Sequence, residues 1–364
     1  MHFLRRSRAR HLLLSSRDYY FRVPTAPTQQ REQMNQVRFI DLFAGIGGMR
    51  IAMEAVGGSC VFSSEWDKHA QKTYEWNFGE LPHGDITQID AAEIPDFDVL
   101  VAGFPCQPFS SIGRREGFRH PTQGTLFGDI ARIIEEKEPR AFLLENVEGL
   151  ENHDGGNTIK VIDATLRGLG YVTDRRVLDS ADYGVPQHRR RTYIVGFRGD
   201  ASEAAFPMLW PRPSRVRHGI GKFVERNVRG HSISRHLQKV YIFKKDDGRP
   251  EIIDRRSSEP VKTLCASYHK IQRLTGTFVR DGETGLRLLT ESECRAIMGF
   301  PKWFQIPESV SRTQMYRQFG NSVAVPVVKR IAKALVFALD QSAAAERSHQ
   351  PKRQDPVIRR RSVA

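Results

Sequence analysis

Apolar and polar positions form a block pattern from Val37 onwards, in which short apolar runs are followed by stretches of helical periodicity. Strands are predicted in VRFIDLF, CVFSSE, DVLVAGF, AFLLENV, YVTDRRVLDS and RRTYIVGFR, and DVLVAGF carries the continuous apolar run of a strand buried on both faces. Helices are predicted in MRIAMEAVG, KHAQKTYEWNF, GDIARIIEEKE and TIKVIDATLRGLG. This alternation predicts right-handed βαβ units, and therefore an α/β fold with a doubly wound, mostly parallel sheet.

The regular pattern breaks down after about Arg198. The stretch that follows, to roughly Gly285, is irregular, with a Pro- and Arg-rich start and only short β-like pieces such as KVYIF. Helical signals return in LTESECRAIMGF, where Thr290 is a predicted N-cap and Glu293 its capping-box partner. A last helix is predicted from about Val325 to Leu339.

These patterns predict a larger domain and a smaller, irregular, β-rich one. The amino terminus is Arg-rich and lacks the long apolar stretch of a secretory signal; translation from Met34 is one interpretation of it, and an Arg- and Ser-rich transit peptide is the alternative. The predicted division is a basic, disordered extension over 1–36, a large domain over 37–197, a small domain over 198–314, a segment over 315–340 that packs back on the large domain, and a basic, disordered tail over 341–364.

The net charge of +14 is unevenly distributed. Residues 1–33 carry +5, residues 198–283 carry +8 and residues 341–364 carry +4, so that the rest of the chain is slightly acidic. A basic internal segment is expected if that segment faces phosphates, although a solvated charged surface would have the same composition. The four cysteines lack CxxC spacing, which disfavours a metal site or a disulfide framework and fits a reducing cytoplasm. No apolar run approaches the length of a membrane span.

The glycine-rich turn in FIDLFAGIGGMR lies between a predicted strand and a predicted helix, where the backbone can approach a nucleotide-like ligand. Its spacing differs from GxGxxG, because Arg50 stands in place of the third glycine. Two acids follow at further strand ends: Glu65 is suited to ribose hydroxyls, and Asp85 to a base amine. Each feature alone fits a structural turn or a solvated acid, but together they favour an adenosine-containing ligand.

The segment GFPCQPFS places Cys106 directly after the most apolar strand, between Pro105 and Pro108. This is where α/β folds bind ligands, so the thiol is a candidate nucleophile, with an inert packed cysteine as the alternative. Glu145 follows the apolar run AFLL and is expected at the same sheet edge. Partial desolvation there would raise its pKa and let it donate or share a proton; an N-cap or a salt bridge is the alternative.

The run QHRRRTYIVGF supplies three arginines just before a strand. In an extended backbone Arg189 and Arg191 share a face, and Arg190 points away. Two guanidinium groups on one face suit a phosphate or a polarised carbonyl, although basic runs are usually solvated.

In this order the motifs resemble those of the DNA cytosine-5 methyltransferases, specifically the bacterial restriction–modification type, and the resemblance covers roughly Arg38 to Leu339. DLFAGIGG resembles the family's cofactor loop, GFPCQPFS its nucleophile loop and ENV its catalytic glutamate motif. LRLLTESECRAIMGFP and QFGNSVAVP resemble its last two motifs, and QxRxR is present as Gln187, Arg189 and Arg191.

The resemblance implies a Rossmann-like methyltransferase fold and transfer of a methyl group from S-adenosylmethionine to C5 of a cytosine flipped out of duplex DNA. Cys106 would attack C6, and Glu145 would bind the N3/N4 edge of the base. Arg189 would hold the O2 side of the cytosine, and Arg191 would orient Glu145 or the nucleophile loop.

Further roles follow from the same resemblance. The region of about 198–286 would be the target-recognition region, where Thr263 of a Thr-Leu element lies near the flipped nucleotide. Ser111 and Arg114 are candidates for filling the gap in the duplex, and Gln187 is a further expected DNA contact. The expected cofactor pocket comprises Phe43, Ala44, Gly45, Gly47, Glu65, Trp66, Asp85, Ile86, Pro105, Asn321 and Ser322.

The expected partner is double-stranded DNA, with a cognate restriction endonuclease as a functional partner, and the protein is expected to be a cytoplasmic monomer without a bound metal or a membrane contact. Three alternatives stay open at this point. The tRNA-modifying branch of the family carries a Cys-Phe-Thr signature that this sequence lacks. A nicotinamide-dependent dehydrogenase is disfavoured by the missing GxGxxG. A DNA-binding protein with an inactive catalytic domain would need an assay to exclude it.

Overall fold

One sheet of six strands forms the centre of the fold. The computed structural model describes residues 36–105, 126–199 and 210–349, with residues 342–349 described by their backbone alone. The strand order is β2-β1-β3-β4-β6-β5, in which β1 to β4 pair in parallel and β6 runs antiparallel to both of its neighbours. The strands are β1 Arg38–Leu42, β2 Ser59–Ser64, β3 Val99–Gly103, β4 Ala141–Val147, β5 Tyr171–Asp179 and β6 Arg190–Arg198. The predicted mostly parallel α/β sheet is confirmed.

Helices cover both faces of the sheet, because alternate residues of the central strands are apolar on both sides. Phe39 and Val99 enter one buried cluster, which α1 and α8 complete, and Ile40 and Leu100 enter a second, which α3 and α4 complete. The helices are α1 Gly48–Glu54, α2 Lys68–Phe78, α3 Leu126–Lys137, α4 Asn157–Gly168, α5 Arg235–Leu237, α6 Glu291–Met298, α7 Arg312–Asn321 and α8 Val325–His349. Among the described helices, none is both long and apolar enough to cross a bilayer.

The region after β6 is mostly irregular, as predicted. It contains a parallel pair of short strands, β7 Glu251–Ile253 and β8 Thr277–Val279. Its buried apolar residues, Ile220 and Phe278 among them, join the cluster on the α1 face of the sheet. The core of this region is therefore continuous with that of the sheet.

One short element was predicted wrongly. The piece KVYIF is not β-like, because α5 continues into the π-helical turn Gln238–Ile242. The side chain of Ser234 caps this helix by accepting a hydrogen bond from the N–H of Leu237, and the local cap outweighs the β propensity of the residues that follow.

Helix ends follow the expected capping chemistry in one case and extend beyond the prediction in another. The capping box of α6 is confirmed: Thr290 accepts from the N–H of Glu293, whose carboxylate accepts from the N–H of Thr290. The last helix ends at His349 instead of Leu339. The added residues QSAAAE are rich in alanine, which has the highest helix propensity.

Candidate active site

The carboxyl ends of β3 and β4 lie side by side at one edge of the sheet. Gly103 pairs in register with Glu145, and the side-chain amide of Asn146 donates a hydrogen bond to the carbonyl of Phe104 at 2.9 Å. Asn146 therefore fixes the backbone that leads into the predicted nucleophile loop. Pro105 is the last described residue before that loop and is exposed. Cys106, Ser111 and Arg114 lie outside the described residues.

Glu145 is a buried carboxyl group with an arginine beside it. The residue is 8% exposed, and its Oε1 lies 3.1 Å from Nε of Arg191. Burial raises the pKa of Glu145, against the opposing charges of Arg191 and Arg189. The contact with Arg191 is not aligned as a hydrogen bond, and Oε1 has no hydrogen-bond partner among the described residues. The site therefore holds a carboxyl group whose pKa is raised by burial and which has an unused oxygen.

The two arginines near Glu145 have different environments. Arg189 is buried, and its guanidinium donates to the carbonyls of Leu264 at 3.3 Å, Gly320 at 3.0 Å and Ser322. Burial lowers the pKa of Arg189 to about 10, and the charge of Arg191 adds to that effect. The predicted contact between Arg189 and a cytosine carbonyl is corrected, because its terminal nitrogens already donate to protein carbonyls.

Arg191 and Arg190 point to opposite faces of the strand, as the extended pattern predicts. Arg191 lies next to Glu145 and lines an open cleft, whereas Arg190 points to the surface, where its guanidinium binds Glu148 at 2.7–2.9 Å. Arg191 is therefore the arginine of the motif that a ligand beside Glu145 can reach.

The cleft beside Arg191 has a volume of about 370 Å³. Thr263 enters it from the region after β6, and its hydroxyl donates to the carbonyl of His188 at 2.6 Å. The lining residues are Val147, Glu148, Gly149, His188, Arg190, Arg191 and Thr263. His188 was not among the predicted site residues, although it lies inside the QHRRR run of the sequence.

Gln187 has a structural position instead of the predicted contact with DNA. Its side chain is 0% exposed, its Nε2 donates to the carbonyl of Ile297 at 2.9 Å, and its Oε1 accepts from the N–H of Leu264 at 2.6 Å. The prediction of a direct DNA contact is therefore wrong, because both ends of the amide are bonded inside the protein.

Glu65 joins the loops after β1 and β2. Its Oε2 accepts from the N–H of Gly45 and its Oε1 from the N–H of Asp67, both at 2.7 Å. Burial raises the pKa of Glu65 in spite of these hydrogen bonds. The next residue, Trp66, is 69% exposed and offers an open aromatic face. The predicted ribose-binding pair thus stands against the glycine-rich loop.

The glycine-rich loop has a backbone that side chains would not allow. Gly47 has a φ of 81°, and a Cβ there would lie 2.3 Å from the ring of Phe78. A Cβ on Gly48 would lie 2.8 Å from Oγ of Ser322, so the Asn321–Ser322 turn packs directly on this loop. Phe43 also adopts a positive φ, of 54°, and Ala44 donates to the carbonyl of Ser64 at 2.9 Å.

Asp85 lies near Glu65, although not at the end of a strand as predicted. The N–H of Glu65 donates to the carbonyl of His83 at 2.8 Å, which brings this segment to the end of β2. Asp85 is exposed and caps the 3-10 turn Ile86–Gln88 by accepting from the N–H of Thr87 at 3.0 Å. Ile86 is buried beneath it.

Comparisons with known proteins agree with this arrangement. The family model for C-5 cytosine-specific DNA methylases matches residues 37–336. Type II methyltransferase M.MspI of Moraxella sp is 59% identical over 302 residues, which cover 83% of this chain and 71% of that protein. M.HhaI of Haemophilus parahaemolyticus is 41% identical over 318 residues, which cover 83% of this chain and 94% of that protein.

Solved structures share the fold at lower identity. A mutant DNMT2 of Spodoptera frugiperda has a TM-score of 0.67 and 23% identity, and the match covers 83% of this chain and 100% of that one. The Dnmt2 methyltransferase of S. pombe also has a TM-score of 0.67, with 21% identity and coverage of 84% and 99%. The family match over most of the chain excludes the dehydrogenase alternative. This chain belongs to the C-5 cytosine-specific DNA methylase family, and it is a DNA cytosine-5 methyltransferase.

Proposed function

We propose that the protein transfers a methyl group from S-adenosylmethionine to C5 of a cytosine flipped out of a specific duplex DNA sequence, with Cys106 as the covalent nucleophile. The observation that carries this proposal is the buried carboxyl of Glu145, held beside the strand that leads to Cys106. A carboxyl group whose pKa is raised by burial is suited to give a proton to the pyrimidine ring nitrogen, where charge develops when C6 is attacked.

The cytosine ring is a poor nucleophile at C5, and this dictates the order of steps. The thiolate of Cys106 adds to C6, and the electron pair displaced from the C5–C6 bond makes C5 reactive toward a methyl group. Glu145 binds the N3/N4 edge and gives or shares the proton that neutralises the ring, and it takes that proton back before the product leaves. Arg191 holds the O2 side in place of Arg189. A base, which we propose to be water, then removes the C5 proton, and the Cys106 thiolate leaves C6 by elimination.

The residues around the glycine-rich loop fit S-adenosylmethionine. Gly45 leaves its backbone open to close approach, Glu65 accepts a hydrogen bond from that backbone, and Trp66 offers an exposed aromatic face for a purine. We propose that Asp85 binds the adenine amine, since its carboxylate is exposed. When bound, this cofactor supplies the electrophilic methyl group. The remaining pocket residues proposed are Phe43, Ala44, Ile86, Pro105, Asn321 and Ser322.

The basic region of about 198–286 is proposed to read the DNA sequence in the major groove, with Thr263 near the flipped nucleotide. Relatives such as M.MspI are Type II methyltransferases. We therefore propose that a cognate restriction endonuclease is the functional partner and that the enzyme acts as a cytoplasmic monomer. Ser111 and Arg114 remain proposals for filling the gap left by the flipped base.

Replacement of the nucleophile tests the covalent step. Cys106→Ser should abolish methyl transfer while specific DNA binding survives, because the serine hydroxyl is a far weaker nucleophile than a thiolate. A duplex that carries 5-fluorocytosine should become irreversibly joined to the native protein and not to the variant. Equal turnover by the variant, or no adduct with folded native protein on its own recognition site, refutes the assignment.

Parallel methylation assays with duplex DNA and with tRNA distinguish the DNA-modifying branch of the family from the tRNA-modifying branch. Bisulfite sequencing of a methylated plasmid identifies the DNA site.

A further inference from the structure

His188 is a histidine whose ring is fixed by a carboxylate at the end of β5. Its Nδ1 lies 2.8 Å from Oδ2 of Asp179. The other oxygen of Asp179 accepts from the N–H groups of Ala181 at 3.2 Å and Arg189 at 3.1 Å. Burial by itself would raise the pKa of Asp179, but these hydrogen bonds, with that of His188 the strongest, bring it below its usual value. Asp179 therefore stays ionised and holds the imidazole in one orientation.

The fixed ring stands in the cleft beside the proposed catalytic groups. His188 lines the cleft together with Arg191 and Thr263, and its side chain is 42% exposed. Because Nδ1 is engaged by Asp179, Nε2 is the ring nitrogen available to a partner from outside. The backbone of His188 also accepts the hydroxyl of Thr263. One residue thus links the arginine motif to the recognition region and keeps a polar atom for a ligand.

The charged groups around the His188 ring indicate that it suits an anionic ligand. Glu148 after β4 is bound by Arg190, and Arg191 faces Glu145. Asp179 is the carboxylate in contact with the ring itself, and the recognition region brings the neutral Thr263 into the cleft. A partly exposed contact between a polar side chain and a carboxylate contributes little stability, so structure alone gives little reason for the contact between His188 and Asp179. An imidazolium donates from both nitrogens, and a donor opposite an anion gains a charge-assisted hydrogen bond.

We propose that His188 is a positioning residue that donates a hydrogen bond from Nε2 to a DNA backbone phosphate next to the flipped nucleotide. Asp179 holds the ring, the phosphate oxygen accepts the second N–H, and the sugar–phosphate backbone is anchored while Arg191 and Glu145 engage the base. This inference rests on the proposed function, since it needs a nucleotide in the cleft.

The salt dependence of DNA binding tests the contact. Binding of the full-length protein to a duplex with its recognition site is measured by fluorescence anisotropy over a series of NaCl concentrations. His188→Gln should weaken binding by about tenfold, as expected for the loss of one hydrogen bond to a charged group. It should also reduce the slope of log K against log salt by about 0.9, the value for one phosphate contact. Lys160→Gln on α4 removes an exposed positive charge outside the cleft and should change neither quantity.

Steady-state kinetics and a second substitution supply two further readouts. His188→Gln should raise KM for DNA and leave kcat close to that of the native enzyme, and His188→Arg should restore the salt slope. The charged groups that face the ring, Asp179, Glu148, Arg190 and Arg191, are present in both proteins.

Two results overturn the inference. One is an unchanged affinity and salt slope in His188→Gln; the other is a loss of thermal stability in that variant with the slope unchanged, which would make the His188–Asp179 pair purely structural. Failure of the proposed function is a separate outcome, since the native protein would then transfer no methyl group to duplex DNA at any salt concentration.

Discussion

A buried ion pair beneath α6 offers a test of the structure that is independent of catalysis. Arg287 is 0% exposed, and its two terminal nitrogens donate to the carboxylate of Glu293, each at 2.8 Å. Its Nε donates to Asp281 at 3.0 Å, and the terminal nitrogens also reach the carbonyls of Leu288 at 3.0 Å and Glu225 at 3.1 Å. One guanidinium therefore joins the start of α6 to two separate loops.

Arg287→Met removes the positive charge and leaves Glu293 buried without it. Breaking a buried pair from one side costs about 3–5 kcal/mol in the free energy of unfolding, mostly because a buried charge is left uncompensated. The matched control is Arg198→Met, since Arg198 binds Glu138 at 2.7 Å but the two side chains are 44% and 70% exposed. An exposed pair of this kind contributes at most about 1 kcal/mol.

Urea unfolding, followed by circular dichroism and by tryptophan fluorescence, measures both costs, provided that the two probes give coincident transitions. The double variant Arg287→Met with Glu293→Gln should recover part of the loss, because the glutamine still accepts from the N–H of Thr290 and carries no charge. The reasoning fails if Arg287→Met destabilises the protein no more than Arg198→Met does.

Three further predictions concern the site and its sheet. Glu145→Gln should lower kcat by about 10²–10⁴-fold in a labelled-methyl transfer assay. We expect the activity of the native enzyme to decline as the pH rises through the raised pKa of Glu145, and this decline should be absent from Glu145→Gln. Arg191→Met should reduce turnover, and Arg189→Met should lower the melting temperature more than Arg191→Met does, because three carbonyls lose their donor. Differential scanning fluorimetry with a methylation assay separates the two effects. Burial raises the pKa of Asp41 from 3.8 to about 8, so native stability should fall as the pH rises from about 4 to about 8, by about 1.4 kcal/mol per unit at most. Asp41→Asn should flatten that decline, which urea unfolding of both proteins at pH 5 and at pH 8 would measure. The prediction is contradicted if the free energies of unfolding of the variant and the native protein differ by the same amount at both pH values.

The sequence predicts the sheet and the edge that carries Glu145 well, because both depend on local patterns. The apolar runs VLVA and AFLL mark two of the central strands, and Glu145 is recognisable as the acid that follows the second run. The carboxyl ends of parallel neighbours meet at one edge, so the proximity of Glu145 to the Cys106 loop follows from the strand pattern.

What could not be predicted depends on contacts between distant parts of the chain. An extended pattern places Arg189 and Arg191 on one face, but the carbonyls that bind Arg189 lie 75 to 133 residues further along the sequence. Gln187 was misassigned for the same reason, since its partners are Leu264 and Ile297. Asp85 lies two residues after His83, which forms an isolated β-bridge with Ser64 at the end of β2. A single bridge leaves no periodic signal in the sequence.

The two bonds to Leu264 also constrain how this scaffold can be re-engineered. Gln187 accepts its N–H and Arg189 donates to its carbonyl, so the motif before β6 and the Thr-Leu element interlock through one peptide unit on each side of that residue. A chimera that grafts a foreign specificity segment should therefore keep residues 186–189 and 261–264 from a single parent. Junctions placed within 210–260 leave this interlock whole, whereas a junction that takes the two pieces from different parents pairs donors and acceptors that never evolved together.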